Sequence, residues 1–161
     1  MKNKNPSANA STSTAPTLDL DNFLPYRLLV VTNQVTRVFA HRYKKEFKIT
    51  IPESRVINAL GRQSPLTSWE ICERTTMTKS RASVVINNLV NTGILTKKPD
   101  PVDQRQLEVK LPKKGDALRE NIAVVAWELE ENSVASCGAE GRVHLMKILD
   151  AIGQEVHGLP T

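Results

Sequence analysis

The stretch that decides the fold runs Pro65-Leu-Thr-Ser-Trp-Glu-Ile-Cys-Glu-Arg-Thr-Thr-Met-Thr-Lys-Ser-Arg-Ala-Ser-Val-Val-Ile-Asn-Asn-Leu-Val-Asn-Thr-Gly-Ile-Leu95. It continues through Asp100-Pro-Val-Asp-Gln-Arg105 and Val109-Lys-Leu-Pro-Lys-Lys-Gly115. Thr67 or Ser68 can cap a short helix by accepting from an orphan amide, and Glu70 sits near its positive end. Trp69, Ile71 and Cys72 give that helix its apolar bulk. Thr75 and Thr76 end it, because their hydroxyls compete for local backbone bonds. Thr78 offers a second cap. Beyond it Ala82, Val85, Ile86 and Leu89 recur at spacings of three and four, one apolar helical face. The opposite face carries Lys79, Arg81, Ser83, Asn87 and Asn91, all donors and none acidic.

Gly93 suits the left-handed residue that closes a helix. A strand is expected from Ile94-Leu-Thr, a turn at Asp100-Pro101, and a second strand where Leu107, Val109 and Leu111 alternate. A short helix, a tight turn, a longer helix and a two-stranded hairpin with a basic tip make a winged helix-turn-helix. That shape sets one helix in a DNA groove and a loop beside it. An ordinary helical hairpin followed by a β-ribbon would read the same way. The charged tip that follows at once favours DNA.

Outward from this stretch, 161 residues argue for one structural domain. Aromatics are only 4% of the chain, so an aliphatic core is expected. The chain carries a formal net charge of +5. Residues 76–115 hold 8 Lys/Arg against 3 Asp/Glu, whereas residues 116–161 hold 3 against 8. One face toward a polyanion and another toward protein would produce that asymmetry. Two cysteines, Cys72 and Cys137, are too few for a disulfide framework and fit a reducing cytoplasm. Met1-Lys-Asn-Lys-Asn is followed by no apolar run, so no secretory signal is expected. No stretch is long and apolar enough to span a membrane.

The expected organisation is a disordered tail over 1–17, an N-terminal helix within 18–48, a winged lobe over 49–115 and a pair of helices over 116–158. Residues 1–17 are too polar to offset ordering entropy. Asp19-Leu-Asp-Asn is placed to cap a helix of about 25 residues that ends near Phe47, with Leu24, Leu28, Val31, Val35 and Val38 as its stripe. Thr50 caps and Pro52 opens the next helix, through Val56, Ile57 and Leu60. A helix from Asp116 to about Ser136 buries Leu118, Ile122, Val125 and Leu129. Gly138 and Gly141 bracket a loop before a last helix carrying Leu145, Ile148, Leu149, Ile152 and Val156. Six helices and a small β-wing make a mainly α fold, with the N- and C-terminal helices as a dimerisation layer.

This order of elements, and above all Asp100-Pro-Val-Asp103-Gln-Arg105 with Val109-Lys-Leu111 and Gly115, resembles the MarR family of bacterial transcriptional regulators. The family pattern there is Asp-Pro-x-Asp-Arg-Arg, then Val-x-Leu-Thr and Gly. Gln104 and Pro112 depart from it, as do Val84 and Asn88, where the family often carries Arg. The resemblance implies a cytoplasmic homodimer that binds a pseudo-palindromic operator in double-stranded DNA, one recognition helix per half-site, usually as a repressor.

On that basis Thr78, Lys79, Ser80, Arg81, Ser83 and Asn87 are assigned to the major groove and its flanking phosphates. Asn87 suits adenine and Arg81 guanine. Lys97, Lys98 and Lys110 are assigned to phosphates. Arg105, held by Asp103 beside Gln104, is assigned to the minor groove. The resemblance further implies a small aromatic or anionic effector, an acid or thioester, often tied to aromatic catabolism. Tyr26, Arg27, Asn33, Arg37 and His41 are its candidate contacts.

An enzyme is not expected, since no phosphate loop, nucleophile elbow or zinc-protease motif is present. His41, His144 and His157 are scattered, so no metal and no cofactor are expected. A non-specific architectural DNA binder, a protein-binding adaptor and a regulator controlled by thiol oxidation at Cys137 are the competing readings.

Overall fold

The structure is a computed structural model that describes residues 17–99 and 107–159. Residues 1–16 of the tail expected over 1–17, the expected turn at Asp100-Pro101 and the wing-tip residues Asp103, Gln104 and Arg105 lie outside the described residues. The order is α1 (Leu24–Phe47), α2 (Ile51–Arg62), β1 (Leu66–Thr67), α3 (Ser68–Thr75), α4 (Lys79–Asn91), β2 (Thr96–Pro99), β3 (Leu107–Lys110), α5 (Lys113–Val134) and α6 (Gly138–His157). One 3-10 turn, Ala135–Cys137, separates the last two helices. The fold is mainly α with a small sheet, as expected.

The chain divides into two compact units, Met1–Gln34 and Val35–Thr161. Within the first, Asp19 does not cap α1. Its carboxylate accepts from the Asp21 amide and the Asn22 side chain, which builds a turn ahead of the helix. Leu24, Leu29 and Val31 on the helix beyond it are exposed.

The second unit is built on reciprocal caps. Thr50 accepts from the Glu53 amide while Glu53 accepts from the Thr50 amide, and Thr67 and Glu70 repeat the arrangement on α3. Each such box satisfies two donors that a helix start would leave orphaned. Val56, Ile57 and Leu60 of α2, Ile71 and Cys72 of α3, Ala82, Val85, Ile86 and Leu89 of α4, and Leu66, Leu95 and Val109 around the sheet form one buried cluster. Tyr43 enters it from the end of α1, edge-on to Phe39 with ring centroids 5.8 Å apart. Burial pushes its phenol above the usual tyrosine range, so it stays neutral.

Several expectations need correction. The wing is a three-stranded sheet in the order β1-β3-β2, with Leu66 opposite Val109. The two residues of β1 are too few to show alternation. The strand after Gly93 begins at Thr96 rather than Ile94, because the amides of Ile94 and Leu95 are spent on the Leu89 carbonyl in closing α4. Helix α5 begins at Lys113, not Asp116. Gly115 therefore lies in its first turn, where a Cβ would stand 2.3 Å from the Ile94 carbonyl oxygen. Ile122, Val125 and Leu129 of α5 join the core of the winged lobe. Gly138 takes a φ of 64° and starts α6, and Gly141 lies inside that helix rather than in a loop.

Candidate nucleic-acid interface

Thr78 holds the start of α4 by accepting from the Arg81 amide, and its hydroxyl lies 3.2 Å from that of Ser80. The core takes Ala82, Val85, Ile86 and Leu89. Helical geometry then turns Lys79, Ser80, Arg81, Ser83, Val84, Asn87, Asn88 and Asn91 outward, and all eight are exposed. No acidic residue interrupts them. The six contacts assigned to this element are thus brought together on one face or at its cap. The far end of α4 is pinned too: Gly93 adopts a φ of 69°, and Lys114 donates to the Thr92 carbonyl at 3.2 Å.

The sheet sets the wing cations in two different places. In its register Lys98 faces Glu108, and Lys97 faces Val109. Cross-strand partners share a face, so Lys97 lies on the side of the buried Val109. From there it reaches α4 and donates to the Asn87 side-chain oxygen at 3.3 Å. Lys98 is exposed, and Lys110 is exposed with its ammonium 3.1 Å from Glu108. Lys97 is therefore a brace between wing and helix as well as a cation.

The effector candidates separate. Tyr26, Arg27 and Asn33 lie exposed in the first unit. Arg37 and His41 line an apolar cleft of about 630 Å³ with Ala40, Ile49, Ile51 and Pro52. A larger cleft, about 800 Å³, opens elsewhere in the second unit, between the end of α1, α2 and the turn after α3. Phe39, Tyr43 and Ile51 supply its apolar wall, and Arg55, Asn58, Arg62 and Arg74 its polar one. None of those three arginines has a carboxylate within ion-pair distance among the described residues. Sequence reasoning missed this set. Its signal was Arg55, Asn58 and Arg62 at helical spacing on α2 with no acid opposite. Thr76, also in the lining, has a φ of 54°, unusual for a β-branched residue.

In helix-turn-helix proteins the second helix of the pair is the one that enters the major groove, and α4 holds the place of that second helix here. Residues 47–106 match the MarR family model. That match falls on the lobe that carries this face. The chain is also similar to the transcriptional regulator MgrA of Staphylococcus aureus, 19% identical over 139 residues, covering 86% of this chain and 91% of that one. Among solved structures it is similar to Bordetella bronchiseptica BpsR, whose DNA binding is regulated by 6-hydroxynicotinic acid. The TM-score is 0.79 and the identity 20%, over 86% of this chain and 98% of that one. S. aureus MepR in complex with DNA aligns with a TM-score of 0.76 at 18% identity, over 83% and 98% of the two chains.

Proposed function

We propose that this protein is a transcriptional regulator of the MarR family that binds a pseudo-palindromic operator as a cytoplasmic homodimer. We propose further that it represses transcription until a small aromatic carboxylate releases it. The observation that carries the reading is the outward face of α4, eight exposed residues without an acid, set beside a cationic strand pair. One such face per subunit gives two half-sites about one DNA turn apart. Arg105, with Asp103 and Gln104, is assigned to the minor groove from the sequence pattern alone.

The cleft of Arg55, Arg62 and Arg74 supports the effector half of the proposal. Guanidinium groups pair with a carboxylate in two parallel bonds, and Phe39 and Tyr43 offer an apolar surface to a ring. Its lining includes Thr75 and Thr76, next to the turn that leads into α4. A bound acid that favours one arrangement of this turn shifts the population away from the DNA-binding form. The aromatic acid that regulates BpsR belongs to the same chemical class.

The test is a fluorescence-anisotropy titration against DNA upstream of the protein's own gene and a shuffled control, at low and physiological salt. Preference for the native sequence that persists as salt rises supports a specific regulator. Equal binding that collapses with salt supports an architectural binder. Release by aromatic carboxylates is then measured for the wild type and for Arg55→Ala and Arg62→Ala. Loss of release with operator affinity retained supports the cleft. Release unchanged in both variants removes it from the account.

A further inference from the structure

Val84 is the one apolar side chain in the middle of the exposed face of α4. It is 61% exposed. Ser80, Asn87 and Asn91 are spaced four, three and seven residues from it, so all four lie along one line of the helix. The buried residues Ala82 and Leu89 occupy the opposite side. Its neighbour Val85 is in the core, so Val84 is not a displaced core residue. A β-branched residue at an exposed helix position gains nothing from packing and has lower helix propensity than Ala or Lys. On its C-terminal side lie the carboxamides Asn87, Asn88 and Asn91, and one turn before it lie Ser80 and Arg81.

We propose that Val84 is a specificity-determining residue that contacts a thymine methyl group in the operator half-site. This deepens the reading of α4 as the recognition helix and rests on it. In the major groove only thymine presents a methyl group, and an apolar side chain is its natural partner. Asparagine carboxamides pair with the adenine edge, so the residues on the C-terminal side of Val84 favour the same class of base pair. Lys97 fixes Asn87 from the wing side. The centre of the half-site is therefore read as A·T pairs, and the guanine contact belongs to Arg81 near the helix start.

The experiment begins with selection from a randomised duplex pool by the full-length wild-type protein. One enriched duplex is then synthesised with deoxyuridine at single thymine positions, which removes one methyl group and leaves base pairing intact. The expected result is one position per half-site at which the change weakens binding about fourfold, the worth of a methyl group returned to water. Val84→Ser should bind the thymine and uracil duplexes equally. The substitution is at an exposed position, and circular dichroism confirms the fold. No enrichment of any sequence would remove the operator reading itself. Enrichment without a methyl-sensitive position, or sensitivity that survives in Val84→Ser, would overturn the assignment of Val84 alone.

Discussion

Lys97 on β2 donates to the side-chain oxygen of Asn87 on α4 across 3.3 Å, a bond between residues ten apart in sequence that ties the wing to the helix proposed to read DNA. Its consequence separates two lysines that are adjacent in the chain. Lys98 is exposed, and as a phosphate contact it should contribute about one unit to the slope of log affinity against log salt. Lys98→Ala should therefore weaken operator and shuffled DNA alike and flatten that slope. Lys97→Ala should instead reduce the ratio of operator to shuffled affinity, because Asn87 loses its orientation. Titrations at three salt concentrations distinguish the two patterns, and identical behaviour of both variants would remove the brace from the account.

Gly115 and Gly61 make opposite predictions for the same substitution. A Cβ on Gly115 would stand 2.3 Å from the Ile94 carbonyl oxygen and 2.5 Å from a Leu111 methyl carbon. Backbone cannot yield cheaply, so Gly115→Ala should cost on the order of 1–3 kcal/mol, the scale of an overpacked site. On Gly61 the Cβ meets only the outer part of the Arg119 side chain, at 2.0 Å from its Cδ. Arg119 can swing away at the expense of its 2.7 Å contact with Asp116. The better helix propensity of alanine offsets that by up to about 1 kcal/mol, so Gly61→Ala should be near neutral. Urea unfolding of the two variants checks the contrast.

The capping box of α3 gives a pH dependence with a defined sign. Glu70 accepts from the Thr67 amide at 2.7 Å and from its hydroxyl at 2.9 Å. These bonds, with help from the charge on Arg74, hold its carboxyl below the usual glutamate range. A group whose pKa falls on folding stabilises the fold above its unfolded value, about 4.3, and loses that contribution as pH drops through its folded value. Glu70→Gln should therefore flatten the decline of melting temperature on acidification below about pH 4.3. Thr67→Ala removes the cap at neutral pH as well, at about 1 kcal/mol.

The caps and helical faces were legible because their physics is local. Thr50, Thr67 and Thr78 cap where the side chains predict, and the apolar spacing of α4 separates its two faces without further information. The third strand was not legible. Leu66 and Thr67 show no alternation, and their pairing with β3 spans more than forty residues. The start of α5 was missed because Gly115 reads as a breaker. In the fold it is a point of close approach, which depends on where Ile94 lies. The arginine cleft was missed for the same reason: Arg55 and Arg62 share a helix, but Arg74 joins them only through packing.

The last helix bears on the proposed dimer. Among the described residues α6 buries none of its side chains, although Val143, Leu145, Met146, Ile148, Leu149 and Val156 are all exposed on it. Each large aliphatic side chain removed from water stabilises by roughly 1.5–3 kcal/mol, so a helix this apolar has much to gain from a partner. Trp127 and Val124 on α5 are exposed as well. A second copy of the chain is the partner that the proposed operator symmetry calls for. Leu145→Glu with Leu149→Glu should give a monomer by sedimentation, because two carboxylates cannot be buried unpaired in such an interface. Neither residue belongs to the core of the winged lobe, so its helicity should persist. Operator affinity should fall to that of a single half-site. A variant that still sediments as the wild type would place the dimer contact away from this face of α6.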